Sequence, residues 1–150
     1  MTMSLGVVKA GTFTAFSTYG NMRTWGNVLG LPAVPDNAVA LPGRVGKVFA
    51  DFAPRERRFS VGLMVIGTSQ ADCMDKLLSL GTLIWNTTDS ILFRRIITTG
   101  SGDQTHEAYG KYLSGFEPEL VGAHNLANLV MDFELHDAYW YDSGNAAVLL

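Results

Sequence analysis

The sequence predicts a mainly β domain of the α+β class, with one helix packed against a sheet. Three observations carry this. Phe59, Val61, Leu63 and Val65 alternate with smaller or more polar neighbours. Ala127, Leu129, Met131, Phe133 and Leu135 do the same against Asn128, Asp132, Glu134 and His136, with Val130 the exception. Period-two alternation marks strands with one buried face. Between these stretches, residues from about Gln70 to Trp85 carry apolar side chains at helical spacing, and no comparable second helix is present.

In chain order, Met1 to Tyr19 is mildly apolar, with strand-like residues at Thr12 to Phe16. Gly20-Asn21 marks a turn. Met22 to Leu31 holds a short strand, and Pro32, Pro35 and Asp36-Asn37 make a loop. Val39 to Leu41 begins another strand, because the residue before Pro42 is pushed towards extended geometry. Leu41-Pro42-Gly43-Arg44-Val45-Gly46-Lys47 reads as a hairpin corner. As a phosphate cradle it fails: its glycines are too close together, and the extended Val48 to Phe52 follows instead of a helix.

The strand from Arg58 to about Gly67 breaks at Thr68-Ser69. Ser69 and Asp72 have capping-box spacing, and the acid sits at the positive end of the helix dipole. Ala71, Met74, Leu77, Leu78, Gly81, Ile84 and Trp85 form the expected buried stripe. Asp72, Asp75, Lys76 and Ser79 form the wet face, with Asp72 and Lys76 one turn apart. Asn86 to Asp89 is a loop. Ser90 to Thr99 is a strand rich in β-branched residues, although Arg94 and Arg95 are adjacent in it. Gly100 to Asp103 turns the chain, and Thr105 to Phe116 pairs back, with Tyr109 and Leu113 on one face and Tyr112 on the other. Pro118 ends that arm. The strand of Asn125 to Leu135 follows, then Asp137 to Asp142 and a short apolar tail of about residues 143–150.

At 150 residues the chain reads as a single domain, long enough to bury roughly 70% of its unfolded surface. A charged fraction of 17% is low for a monomer and suits a chain that hides surface against partners. A net charge of −3 excludes a global basic balance of the kind that holds nucleic acid. The lone Cys73 excludes an internal disulfide, and its place in the helix makes it a passive thiol. No apolar run is long enough to span a membrane, and no secretory signal is present, so synthesis in a cytoplasm is expected.

Four groups of residues are candidates for function. Arg55, Arg57 and Arg58 surround Glu56. Without interleaved aromatics they read as a solvated strand start or an intersubunit ion-pair site rather than a nucleic-acid grip. Tyr139-Trp140-Tyr141 reads as a core cap or interface anchor, with a carbohydrate platform as the alternative. Asp132 and Glu134 share one strand face, where acids are ordinary and a glycosidase pair is not expected. His106, His124 and His136 lack metal-ligand spacing. No nucleophile elbow, zinc-protease motif or dinucleotide fingerprint appears. The expectation is a non-enzyme with no cofactor and no metal.

The order of features resembles the N-terminal domain of phage distal tail proteins, minor tail proteins of long-tailed phages (siphoviruses). The likeness is carried by the Tyr19-Gly20 turn and the Leu41-Pro42-Gly43-Arg44-Val45-Gly46 turn. It continues through Glu56-Arg57-Arg58-Phe59 leading to Val65-Ile66-Gly67, the single helix, and the strand Leu129 to Leu135 closing on Asp137 to Asp142. It departs at Val45, where the family's turn carries an acid. It also departs at the C-terminus, where many relatives continue into a second β-sandwich domain. If complete, the chain is a minimal form.

The resemblance implies a tail-tube-like β-sandwich or half-barrel with one flanking helix. It implies six copies closed into a ring whose sheets join around a channel, linking the tail tube to the tail-tip hub or baseplate of the virion. DNA would pass through without specific binding. On this reading Arg55, Arg57, Arg58, Tyr139, Trp140 and Tyr141 belong to the subunit interface, and Asp132 and Glu134 face the channel. The alternatives are the tube-forming protein, or another ring protein, of the same fold, and a module that binds host-surface carbohydrate.

Overall fold

The computed structural model describes residues 2–24, 38–40, 42–43, 45, 47–49, 57–85, 90–136 and 139–142. Arg55, the loops expected at 32–37 and 86–89, and the tail at 143–150 lie outside the described residues. β1 (Thr2–Lys9) turns through Ala10 and Gly11, both at positive φ, into β2 (Thr12–Ala15). A single 3-10 turn, Phe16–Thr18, leads to β3 (Gly20–Thr24). β4 (Ala38–Ala40) and β5 (Lys47–Phe49) pair antiparallel as a separate two-stranded sheet. β6 (Arg57–Ile66) runs into α1 (Gln70–Ile84). β7 (Ile91–Thr99), β8 (Gly102–Ser114), β9 (Glu119–Val121), β10 (Leu126–Leu135) and β11 (Tyr141–Asp142) follow.

Nine of these strands make one antiparallel sheet in the order β2-β1-β7-β8-β10-β6-β3, with β9 beside β10 and β11 beside β8. It curls into a half-barrel. The strands at its two ends, β2 and β3, are neighbours in sequence, joined only by the 3-10 turn and Tyr19. Short local chain thus spans the opening between the ends of a sheet seven strands wide. Phe16, at the start of that turn, is fully buried and stacks on Phe133, with ring centroids 5.9 Å apart.

The chain reverses at Phe16–Thr18, one step earlier than the turn expected at Gly20-Asn21. Gly20 instead opens a strand, because a side chain there would collide with the Met64 carbonyl oxygen of β6. Strands β1 and β9 were not legible from periodicity. Gly6 interrupts the alternation of β1, and β9 is three residues long.

Elsewhere the alternation holds. Phe59, Val61, Leu63 and Val65 of β6 are buried opposite Phe133, Met131, Leu129 and Ala127 of β10, in an unbroken ten-residue register. β7 and β8 add Phe93 and Ala108 to the same interior face, and Tyr112 packs partly buried against that core. Phe59, Phe93 and Phe133 meet at centroid distances of 5.0 to 5.3 Å. Burial of each such ring is worth roughly 1.5–3 kcal/mol.

Helix α1 begins as its spacing requires. Ser69 Oγ accepts from the Asp72 N–H at 3.2 Å, and the Asp72 carboxylate accepts from the Thr68 N–H at 2.8 Å. That is a capping box displaced by one residue, since the acid reaches past Ser69. The helix lies against β6, β1 and β10. Its buried stripe is Cys73, Leu77, Leu80 and Ile84, spaced at four, three and four residues. This rotates the face expected from sequence. Met74, Leu78 and Trp85 remain outside, and Cys73 and Leu80 take their place. Burial pushes the Cys73 thiol up, as befits a passive core residue.

Candidate functional site

Strand alternation sends the two faces of the sheet to different tasks. On the outer face of β10, Glu134 accepts from Arg58 Nε of β6 at 2.9 Å, and Lys111 Nζ of β8 stands 3.8 Å away. Asp132, one step along, accepts from Ser60 Oγ at 2.5 Å and lies 3.5 Å from Ser114 Oγ. Further across, Arg94 of β7 holds Glu107 of β8 through Nη2 at 2.6 Å and Nε at 3.0 Å. Asp132 and Glu134 therefore do share one face, and both are engaged by neighbouring strands. Arg58, Lys111, Asp132 and Glu134 together carry two positive and two negative charges, so this stretch of wall is neutral.

Arg57 and Arg58, adjacent in sequence, point to opposite faces. Arg58 is exposed, whereas Arg57 is only 5% exposed and turned into the interior, level with Leu135. The same alternation separates Arg94 from Arg95. Arg94 goes out to Glu107, and Arg95 goes in, paired in register with His106. The aromatic run divides as well. Tyr139 is half exposed and Tyr141 joins β11. Leu135 pairs with Gly110 and Tyr141 with Glu107, both on β8. Trp140 packs on Phe59 at 6.2 Å, and the Arg95 guanidinium lies 4.7 Å from its ring centre.

The helix presents a further surface. Leu78 is 71% exposed, Trp85 64% and Met74 37%. Beside them, Gly81, Tyr112 and Phe116 help line an open, mainly apolar groove of about 540 Å³. Trp85 meets Tyr112 edge-on at 6.4 Å. Contiguous exposed apolar surface of this kind marks sites of association.

Among the described residues, no group of three or more His, Cys, Asp or Glu side chains is placed to hold a metal ion. No described helix is long and apolar enough to cross a membrane.

No protein-family model and no curated protein matches the sequence. The crystal structure of the SPP1 Dit (gp 19.1) protein, described as a paradigm of the hub adsorption apparatus in Gram-positive infecting phages, matches this chain with a TM-score of 0.67. The chain has the Dit fold. Sequence identity is 14%, and the match covers 95% of this chain and 53% of Dit. The chain thus spans about half the length of that protein. The fold class expected from the sequence, mainly β with one flanking helix, is the one observed, and it is shared with that phage hub adsorption-apparatus protein.

Two features of this version of the Dit fold escaped the sequence reading. One is the exposed helix surface around Leu78. The apolar stripe of α1 is wider than the sheet covers, and periodicity alone does not say which part is left over. The other is the inward pair Arg57 and Arg95. Here a signal existed: of two adjacent arginines on a strand, one must face each side.

Proposed function

We propose that the chain is a structural distal tail protein of a phage, an adaptor at the tail tip that carries out no catalysis. The observation that supports this is the shared fold over 95% of the chain, reached independently by the order of motifs in the sequence. On this reading six copies close into a ring that joins the tail tube to the tip hub, leaving a channel for DNA. Ring closure is the common outcome when one patch of a subunit binds a different patch of the next and the rotation closes.

The surface fits that role. Leu78, Met74 and Trp85 expose apolar area that a lone domain has no use for, and they are the first candidates for subunit contact. Tyr139 and Tyr141, with Arg58, extend the candidate interface, and Arg55 beside them in sequence is a further member. Arg57 and Trp140 face inward in the single chain and act on any interface from behind it. Asp132 and Glu134, balanced by Arg58 and Lys111, would give a channel wall without net positive charge. DNA phosphates gain little by sticking to such a wall. The virion tail tip is then the site of action.

Light scattering and negative-stain images of the purified chain test this. Closed rings of six with a central hole are expected. Long tubes would reassign the chain to a tube-forming protein of the same fold. A monomer with saturable sugar binding lost in Trp140→Ala would make it a carbohydrate module instead. Nothing in the packing favours that outcome, since the Trp140 ring already contacts Arg95 and Phe59.

A further inference from the structure

The groove beside α1 has a selective chemistry. Leu77, Leu78 and Ile84 line it from the helix, and Trp85, Tyr112 and Phe116 add three rings. Polar groups around it are already engaged. Tyr112 Oη accepts from the Phe116 N–H at 2.8 Å, and Thr82 Oγ1 donates to the Leu78 carbonyl at 3.0 Å. The Thr82 carbonyl accepts from Lys9 Nζ at 3.1 Å. A polar occupant would bury its own groups with little to pair with. Aliphatic side chains gain instead, by roughly 25 cal/mol for each Å² of apolar area removed from water.

The chain carries a segment of matching chemistry. After β11, Ser143-Gly144-Asn145 leads into Ala146-Ala147-Val148-Leu149-Leu150, five apolar residues in succession. Strand direction decides which groove they can reach. β11 runs antiparallel to β8, with Tyr141 opposite Glu107 and Asp142 opposite His106. The chain therefore leaves Asp142 heading towards the Gly102 end of β8. The groove lies at the other end, at Tyr112 and Phe116. From His106 to Tyr112 the strand covers about 20 Å. A reversal spent on Ser143, Gly144 and Asn145 leaves five residues, about 17 Å of extended chain. Leu149 and Leu150 then fall short of the groove of their own copy.

We propose that the groove beside α1 receives residues 146–150 of a second copy of this chain. Their aliphatic side chains cover the exposed Leu78 and Trp85, which removes apolar surface of both copies from water. Each copy gives one segment and offers one groove. The contact is therefore head-to-tail, and it passes on to a further copy. This assignment deepens the assembly proposed above. It rests on copies meeting one another and not on how many of them close the ring.

The full-length chain with Leu149 replaced by the photoreactive p-benzoylphenylalanine tests this. After irradiation, products are separated by mass under denaturing conditions and digested with trypsin. Cleavage after Lys76 and Arg94 releases residues 77–94 as one fragment. The expected product is a cross-linked dimer joined between position 149 and that fragment. Its yield should fall about tenfold or more in Leu78→Asp, where a charge would have to be buried. Leu78 is exposed, so that variant keeps its fold, as an unchanged far-UV spectrum will show. The same link confined to the monomer overturns the proposal, because the segment then fills its own groove. So does a link to any other fragment, the absence of any link, or a dimer link that Leu78→Asp leaves undiminished. Light scattering on the same sample separates this contact from the ring. Rings of six without the link sink this proposal alone. The link without rings of six sinks the ring reading and leaves this contact standing.

Discussion

Phe133 touches four other rings, those of Phe16, Phe59, Phe93 and Tyr112, at centroid distances of 5.0 to 6.1 Å. Through Phe16 it also ties the closing turn of the half-barrel to its centre. Truncation there removes contacts with β6, β7, β8 and the 3-10 turn together. Phe133→Ala should lower stability by about 3–5 kcal/mol in urea unfolding, near the top of the range for such losses. At the same scale, His106 sets a pH dependence. Burial first, then Arg95, lowers its pKa beneath the ordinary 6.5, and Asp142 opposes them. The unfolded chain therefore takes up a proton that the folded chain resists. Stability from this source is complete above about pH 6.5 and declines as pH falls towards the folded pKa. The Asp72 carboxylate, held down chiefly by the Thr68 N–H, acts only below its ordinary 3.8 and does not overlap that window. The fall in urea midpoint between pH 7.5 and pH 5.5 should be smaller in His106→Gln than in the native chain.

At the scale of elements, α1 shows where sequence reading succeeds and where it stops. Its start, its length and its cap were legible, because Asp72 meets Ser69 on one side and Lys76 on the other, each one turn away. Its buried face was not. Apolar residues occupy both Leu77-Leu78 and Leu80-Gly81, and only tertiary contact decides which of each pair meets the sheet. The decision is measurable. Leu80→Ala should cost about 2–5 kcal/mol, whereas Leu78→Ala in the monomer should stay within about 0.5 kcal/mol. Strands followed the same logic. β6 and β10 were legible because ten consecutive pairs each bury every second residue. β1 was hidden because Gly6, where a Cβ would strike the Thr14 carbonyl, breaks the pattern for a steric reason that only the partner strand reveals. For the candidate residues, orientation was the part that periodicity left unread. The sheet sends Arg57 and Arg58 to opposite sides, so the arginine cluster is not one surface.

For the whole molecule, the proposed assembly could use either of two exposed surfaces. The apolar helix face and the charged outer face make different forecasts. If subunits meet through α1, Leu78→Asp should leave the far-UV spectrum and Tm of the monomer unchanged while abolishing higher-mass species in light scattering. If they meet through the β6–β10 face, Arg58→Glu should do so instead, by setting a like charge beside Glu134. Preservation of assembly in both variants would rule out both faces.

The short turn between β2 and β3 has a mechanical meaning. Both rims of the sheet lie on one continuous piece of backbone, from Thr12 to Thr24. A neighbour pulling on one rim loads the other through covalent bonds instead of through side-chain packing. In a closed ring gripped at its rims, circumferential tension would run through these thirteen residues of each subunit. The fully buried Phe16 is the bolt that keeps that segment from peeling away under strain.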